Sequence, residues 1–305
     1  MTTSSALSTL SARALRRQRR LRAMRQFWDG YRTHRGGLAG LAILIVFVLI
    51  ALAAPLLADA DGLAVTKATG KALAAPDGQF PLGTDETGRS VLTLLIWGSR
   101  VSLLVGLAAT AISVVLGAVI GIAAGHYRGW LGEVFNRLTD WFLVIPFLPL
   151  AIVLATVLGG SLLNIIVVIG VTSWPGTARL VRAQTLAVEG RPYLERARVL
   201  GGGDWHQMTR HVLPNVMPLV MAKTTLVVAI AILSETTLSF LGLGDPNRPS
   251  WGTMLDGAQA SGAITSGSWW YVLPPGLCVV AVVLAFMLIG RAAEAVLDPR
   301  SGGRS

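Results

Sequence analysis

Charged residues and cysteines are scarce in this sequence. Of 305 residues, 14% are Asp, Glu, Lys or Arg, against about 25% in an average soluble domain. The hydrophobic share is 53% and the mean hydropathy is +0.61. This composition argues against a soluble enzyme and against a disordered chain. Cys278 is the only cysteine, so a disulfide within one chain is excluded.

Motifs for catalysis and for cofactor binding are missing as well. The sequence has no G-x-x-x-x-G-K-[S/T] phosphate loop, no G-x-S-x-G and no H-E-x-x-H pattern. The histidines show no metal-ligand spacing; they are His34, His126, His206 and His211. We therefore predict no catalytic residue, no metal site and no cofactor held by this chain.

Long apolar stretches dominate what is present. A bilayer core of about 30 Å requires about 20 apolar residues in a helix. Pro146 and Pro149 lie within the third stretch, and Trp174-Pro175-Gly176 interrupts the fourth, which is the weakest. The fold class predicted is an all-α integral membrane protein with six transmembrane helices. The predicted spans are 38–57, 101–124, 138–158, 162–181, 216–241 and 271–290.

The net charge of +10 has an uneven distribution along the chain. With a cytoplasmic N-terminus, 20 of the 26 Lys and Arg residues lie inside, five lie outside and Lys223 lies within a span. The positive-inside rule therefore predicts that both termini are cytoplasmic. The basic residues are spread over every inner loop without interleaved aromatics, which argues against nucleic acid and leaves membrane lipid as the surroundings.

The spans divide the chain into segments. Within the basic N-terminal segment, residues 10–28 fit either an amphipathic helix on the membrane surface or a disordered tail, and both stay open. Small residues at steps of four, Gly117, Gly121 and Gly125, predict close helix packing rather than pore lining. The segments are a cytoplasmic basic segment 1–37, a first transmembrane helix 38–58, an extracytoplasmic segment 59–99, a core 100–294 and a cytoplasmic tail 295–305.

The inner loop 182–214 is long, charged and predicted to contain two short helices. Pro192 suits the first turn of one helix, and the three glycines from Gly201 onward break it. Asp204 is the predicted N-cap of a second helix, which Pro214 would end. The first helix would present an apolar stripe to the groove of a partner protein. That stripe consists of Leu194, Ala197 and Leu200.

Two charged residues lie within the fifth span. Lys223 and Glu235 are 12 positions apart, roughly 18 Å along a helix, so they cannot pair with each other. A charge facing lipid is costly. We expect Lys223 to extend towards the inner surface, and Glu235 either to bind a neighbouring helix or to line a pathway. Near the third span, we expect Asp140 to pair with Arg137.

The inner loop resembles the EAA loop of bacterial ABC-importer permeases. Its motif positions carry Glu195, Ala197, Gly201, Leu213 and Pro214, at the motif's spacing. There are two departures: Arg196 replaces an Ala of the motif and His211 replaces an Ile. The ending from His211 to Asn215 is similar to the version found in peptide permeases.

Further segments resemble dipeptide and oligopeptide permeases. Residues 82–85 with Gly88-Arg89 match a family motif, although Ser90 stands where the family usually has Asp. Residues 234–244, 249–252 and 297–300 are also typical. The resemblance runs from about residue 30 to residue 300 and is to the C-type permease subunit.

The resemblance implies a type I ABC-importer permease fold in the bacterial inner membrane. It implies a second homologous permease subunit, two ATP-binding subunits or one fused pair, an extracytoplasmic substrate-binding protein and a peptide substrate. ATP would be bound by the partner subunits. The loop would couple to the ATPase through Glu195, Ala197, Gly201, His211, Leu213 and Pro214.

Alternatives remain within and outside the family. A member of the same family could import nickel, glutathione or another small solute, because a separate chain selects the cargo. An ion-driven secondary transporter would use intramembrane carboxylates and would need no docking loop. A membrane-bound hydrolase lacks a nucleophile and base set in this sequence.

Overall fold

Helices make up most of the computed structural model, which describes residues 25–297. The extended pairing found in this range is a single isolated bridge between Thr84 and Ser90. The proposed helix or tail at residues 10–28 lies largely outside the described residues. The helices are α1 (Arg35–Leu57), α2 (Val91–His126), α3 (Trp130–Val144), α4 (Phe147–Leu158), α5 (Leu162–Glu189), α6 (Pro192–Val199), α7 (Asp204–Gln207), α8 (Leu213–Leu238), α9 (Trp251–Ala260) and α10 (Trp269–Leu297).

Five helical segments among the described residues are long and apolar enough to cross a membrane, and there are six if the α3–α4 pair, bent by 88°, is counted as one span. The predicted all-α membrane fold is confirmed with five to six spans, and the third predicted span, 138–158, is not a straight helix. Pro146 has no amide hydrogen and forces Ile145 into an extended conformation, with φ −76° and ψ 123°. The chain therefore turns between α3 and α4.

The helix ends differ from the predicted spans. Helix α2 begins at Val91 rather than residue 101, because the Ser90 hydroxyl accepts a hydrogen bond from the Thr93 amide and caps it. Helix α5 continues through Pro175 to Glu189, so the interruption expected at Trp174-Pro175-Gly176 was wrong. Residues 182–189, the first part of the predicted loop 182–214, therefore form the last two turns of α5. One proline removes one backbone donor, and packing against α2 outweighs that loss.

The α2–α5 contact is the most extensive helix pairing among the described residues. Gly117, Gly121 and Gly125 face α5, as the predicted small-residue packing required. A Cβ atom added at Gly121 would lie 2.5 Å from the carbonyl oxygen of Ala178. From the other side, a Cβ atom at Gly170 would lie 2.7 Å from Ile112 Cβ. The two backbones therefore approach to a distance that only glycine permits.

The bundle has two ends. The "loop end" carries residues 190–212, and the "opposite end" carries residues 58–90 and 244–268. Trp251 of α9 is fully buried near the opposite end, where its indole nitrogen donates to the Leu95 carbonyl at 3.1 Å. This hydrogen bond joins α9 to α2 near the opposite end of the bundle.

Each end also contains a buried polar side chain that is hydrogen-bonded to residues nearby in the sequence. At the opposite end, the fully buried Asp85 carboxylate accepts from Thr87 and from the Arg89 side chain at 2.7 Å. The motif residues 82–90 therefore form a compact turn. At the loop end, residues 25–32 are helical and the Tyr31 hydroxyl donates to the Gly37 carbonyl at 2.9 Å. Burial raises the pKa of this phenol.

Candidate functional site: the loop between α5 and α8 and the buried polar groups

Helix α6 begins and ends as the sequence predicted. Pro192 occupies its first turn. Gly201 has a φ of +83°, and the Gly202 amide donates to the Ala197 carbonyl at 2.9 Å. This is a glycine-terminated helix end that reverses the chain. The predicted N-cap of the next helix was wrong by one residue: Gly203 is the N-cap, and the Asp204 side chain makes no cap hydrogen bond.

The second short helix does not end at Pro214, which corrects another prediction. A π-helical turn, Met208–Val212, joins α7 to α8, and the Leu213 amide donates to the Met208 carbonyl. Pro214 then falls in the first turn of α8, where a missing amide hydrogen costs little. The loop is therefore continuous with a membrane-spanning helix.

The predicted coupling residues differ in exposure. Glu195, Gly201 and Pro214 are exposed, whereas Ala197, His211 and Leu213 are half-buried. The His211 ring lies 6.1 Å from the Tyr193 ring and 5.6 Å from the His206 ring. The loop thus presents its motif residues on a surface lined with aromatic rings.

The predicted apolar stripe is split. Leu194 is fully buried in a cluster with valines of α5 and α8, so it serves the core and not a partner. Leu200 lies beyond the end of α6 and is 86% exposed. Val199 and Trp205, which the sequence argument did not single out, are 84% and 76% exposed. Apolar exposure of this size marks an interaction surface.

A polar network lies beneath this surface, and we call it the loop clamp. The His126 Nδ1 atom lies 2.6 Å from Glu189 Oε1, and its Nε2 atom lies 3.4 Å from Asp204 Oδ1. The Arg198 guanidinium donates to Glu189 Oε2 and, through Nε, to Gln207 Oε1 at 3.0 Å. The loop clamp consists of His126, Glu189, Arg198, Asp204 and Gln207.

Sequence reasoning missed the loop clamp. His126 was noted only for lacking a metal-ligand pattern, and Glu189 was not noted at all. The two residues lie 63 positions apart in the sequence. Their pairing depends on α2 and α5 ending at the same level, which local spacing does not reveal.

Glu235 is 1% exposed and joins three helices. It lies on α8 and accepts hydrogen bonds from Ser102 of α2 at 3.2 Å and from Ser239 at 2.9 Å. The Ser102 oxygen also accepts from the Trp251 amide of α9 at 3.3 Å. Of the two alternatives for Glu235, binding a neighbouring helix is the one that these contacts show.

The other predicted ion pairs are partly corrected. Lys223 does not pair with Glu235, as expected, and contacts Glu294 of α10 at 2.6 Å. Asp140 pairs with Arg179 of α5 at 3.0 Å and not with Arg137. Arg137 instead contacts Glu133 at 2.9 Å, because the Glu-to-Arg spacing of four on one helix places them side by side. Across residues 25–297, no group of His, Cys, Asp and Glu is placed to hold a metal ion.

The structure is a polytopic helical bundle with an exposed loop before its fifth predicted span, as the resemblance to ABC-importer permeases implied. Residues 117–302 match the family described as binding-protein-dependent transport system inner membrane component. Residues 23–76 match the N-terminal TM domain of oligopeptide transport permease C. The chain belongs to the family of binding-protein-dependent transport system inner membrane components and has its type I permease fold. The predicted family is therefore confirmed.

Three relatives illustrate the range of the family. The di/tripeptide transport system permease protein DppC of Pseudomonas aeruginosa is 40% identical over 73% of both chains. The oligopeptide transport system permease protein OppC of Lactococcus lactis subsp. cremoris is 36% identical over 73% of this chain and 76% of its own. The glutathione transport system permease protein GsiD of Pectobacterium atrosepticum is 33% identical over 74% of both chains.

Proposed function

We propose that this chain is the C-type permease subunit of an ATP-driven importer of di- and oligopeptides. It forms half of the translocation pathway, and a second homologous permease subunit forms the other half. The observation that carries the proposal is the exposed loop between α5 and α8, built at EAA-motif spacing on a membrane-spanning core. The peptide relatives at 36% and 40% identity support the cargo class.

The loop is the docking site for the ATP-binding subunits, which are two chains or one fused pair. Glu195, Gly201 and Pro214 are accessible there, and the exposed Leu200 and Trp205 supply apolar contact area. His211, Ala197 and Leu213 support this surface from their half-buried positions. The chain itself holds no ATP and catalyses no reaction. Its work comes from hydrolysis in the partner subunits.

The loop end faces the cytoplasm, and the protein lies in the bacterial inner membrane. The excess of Lys and Arg on the loops of that end supports this orientation. The opposite end then faces the extracytoplasmic substrate-binding protein. Its ordered segments 58–90 and 244–268 provide the surface on that side, and membrane lipid surrounds the spans.

Glutathione is the second candidate cargo, and the Pectobacterium relative favours it. Glutathione is itself a tripeptide, so both candidates share a peptide backbone and terminal charges. The distinction lies in the binding protein that delivers the cargo.

Reconstitution of the whole transporter tests the proposal. The chain, its partner permease, the ATP-binding subunits and the binding protein are placed in proteoliposomes, and uptake of labelled dipeptide, oligopeptide and glutathione is measured. We expect uptake of a peptide only with ATP on the side of the ATP-binding subunits. Uptake driven by an ion gradient without ATP would contradict the importer, and ATP-driven uptake of glutathione alone would establish the second candidate.

A further inference from the structure

We propose that the loop clamp makes the docking loop a rigid extension of the α2–α5 pair, and that Glu189, Arg198 and His126 are positioning residues for energy coupling. This inference rests on the proposed function of the loop. It assigns a task to side chains that are not fixed positions of the EAA motif, of which His126, Glu189 and Gln207 are buried away from any partner surface.

The clamp connects four separate elements. His126 is the last residue of α2, Glu189 the last residue of α5, Arg198 lies on α6 and Gln207 ends α7. Between α6 and α7, the tip of the loop is open at Gly201, where an added Cβ atom would find nothing within 4 Å. A displacement of the tip therefore reaches the membrane helices through the two short helices and their side chains.

Glu189 is the centre of the network. Its side chain is 7% exposed, that of His126 is 2% exposed, and the carboxylate contacts both His126 and the Arg198 guanidinium. Removing one partner of a buried ionic group leaves the others uncompensated, which makes such a group resistant to rearrangement. The Gln207 side chain extends the network, because its amide nitrogen donates to the Gly202 carbonyl at 2.7 Å.

An apolar cluster also holds α6, but it cannot fix its direction. Leu194 packs against Val188, Val212 and Val216, and the attraction between apolar surfaces is non-directional. Charge-assisted hydrogen bonds have a preferred distance and angle. The cluster therefore keeps α6 attached to α5 and α8, while the clamp keeps it in register with α2. Glycines allow α2 and α5 to pack closely against each other. With the clamp joining the loop to both helices, we infer that the loop and this helix pair move as one body.

The test measures peptide uptake and ATP hydrolysis in the same proteoliposomes that contain the whole transporter. Glu189→Gln removes the central charge at nearly constant volume, and its burial excludes a direct effect on an ATPase contact. We expect normal assembly with the ATP-binding subunits and retained ATP hydrolysis. The number of peptides imported per ATP should fall at least about fivefold, the lower range of coupling effects.

Two further comparisons separate positioning from folding. Arg198 is partly exposed. We expect Arg198→Gln to reproduce the loss of coupling, and Arg198→Lys, which keeps one charged donor, to restore part of it. Glu133→Gln is the matched control. It breaks the exposed ion pair with Arg137 on α3 and should leave the coupling ratio unchanged.

An unchanged ratio of uptake to hydrolysis in Glu189→Gln and Arg198→Gln would overturn the inference. So would a parallel loss of assembly, hydrolysis and uptake in both variants, because the clamp would then serve only folding. Failure of the proposed function looks different: in that case the unsubstituted transporter itself shows no ATP-dependent peptide uptake.

Discussion

Glu235 shows what one buried carboxyl group does in a membrane-spanning helix. Its partners, Ser102 and Ser239, are hydroxyl groups that donate to it, and Ser102 also receives the Trp251 amide of α9. Three helices therefore meet at one side chain. Because the site is buried, each of these polar groups depends on the others for its hydrogen bonds.

We predict that Glu235→Leu destabilises the chain by about 1–3 kcal/mol, because it leaves buried hydroxyl groups without their acceptor. Glu235→Gln keeps the size and the hydrogen-bonding capacity and should cost much less. Unfolding in mixed detergent micelles measures both. Thr237→Val is the control, since its hydroxyl bonds only to the carbonyl of Leu233 on its own helix. Equal stability of the Leu and Gln variants would contradict a hydrogen-bonding role.

The sequence predicted the kind of surroundings a residue needs where the energetic cost of the wrong surroundings is large. It did not predict which residues are its partners. Because a charge in lipid is costly, the sequence indicates that the side chains of Glu235 and Lys223 do not face the lipid. It does not indicate that Ser102 or Glu294 receives them, since those residues lie on other helices. Similarly, the glycine at position 201 predicted the end of α6, because glycine adopts a left-handed backbone without strain. The burial of Leu194 depends on α5 and α8, which the periodicity of α6 alone does not describe.

Among the helices, the α2–α5 contact is controlled by residues without side chains. Gly121 faces the Ala178 carbonyl oxygen, and Gly125 faces Thr185 Cβ at 2.7 Å from an added Cβ atom. Gly176 of α5 differs, because a Cβ atom there would meet nothing within 4 Å. Packing therefore requires glycine at Gly121 and does not require it at Gly176, which gives a matched pair for comparison.

We predict that Gly121→Ala destabilises the bundle by about 1–3 kcal/mol, because the new methyl group overpacks the contact between two backbones. Gly176→Ala, the control, should be neutral or slightly stabilising, since alanine restricts the unfolded chain. Unfolding in the same micelles compares the two. A destabilisation by Gly176→Ala as large as that by Gly121→Ala would show that helix packing is not the cause.

The helical class and the approximate number of spans followed from apolar length, but the helix ends did not. Pro146 was visible within the third span, yet an 88° bend requires a second helix that leaves in another direction. Pro175 and Pro214 suggested breaks that did not occur. Pro175 is held within α5 by packing against α2, and Pro214 follows a π turn that carries the chain from α7 into α8. Proline marks a lost donor, and tertiary contacts decide whether a helix ends there.

For the whole molecule, the asymmetry between the two ends is electrostatic as well as structural. Within residues 25–297, most Lys and Arg residues lie towards the loop end, and the opposite end has two long segments with few basic residues. By the positive-inside rule, this difference supports the orientation proposed above. A matched pair of surface glycines allows a direct measurement: Gly190 at the loop end and Gly78 at the opposite end are both exposed and have open space for a side chain.

We predict opposite accessibility for cysteines placed at these two positions in a Cys278→Ala background. In right-side-out membrane vesicles, a membrane-impermeant maleimide should label Gly78→Cys and leave Gly190→Cys unmodified, and inverted vesicles should give the reverse. The physical reason is that translocation of the basic loop end is disfavoured, which leaves Gly190 on the cytoplasmic side. Cys278 is half-buried in α10 and is removed so that each protein has one thiol. Labelling of Gly190→Cys alone in right-side-out vesicles would invert the topology, place the docking loop outside and thereby refute its contact with a cytoplasmic ATPase.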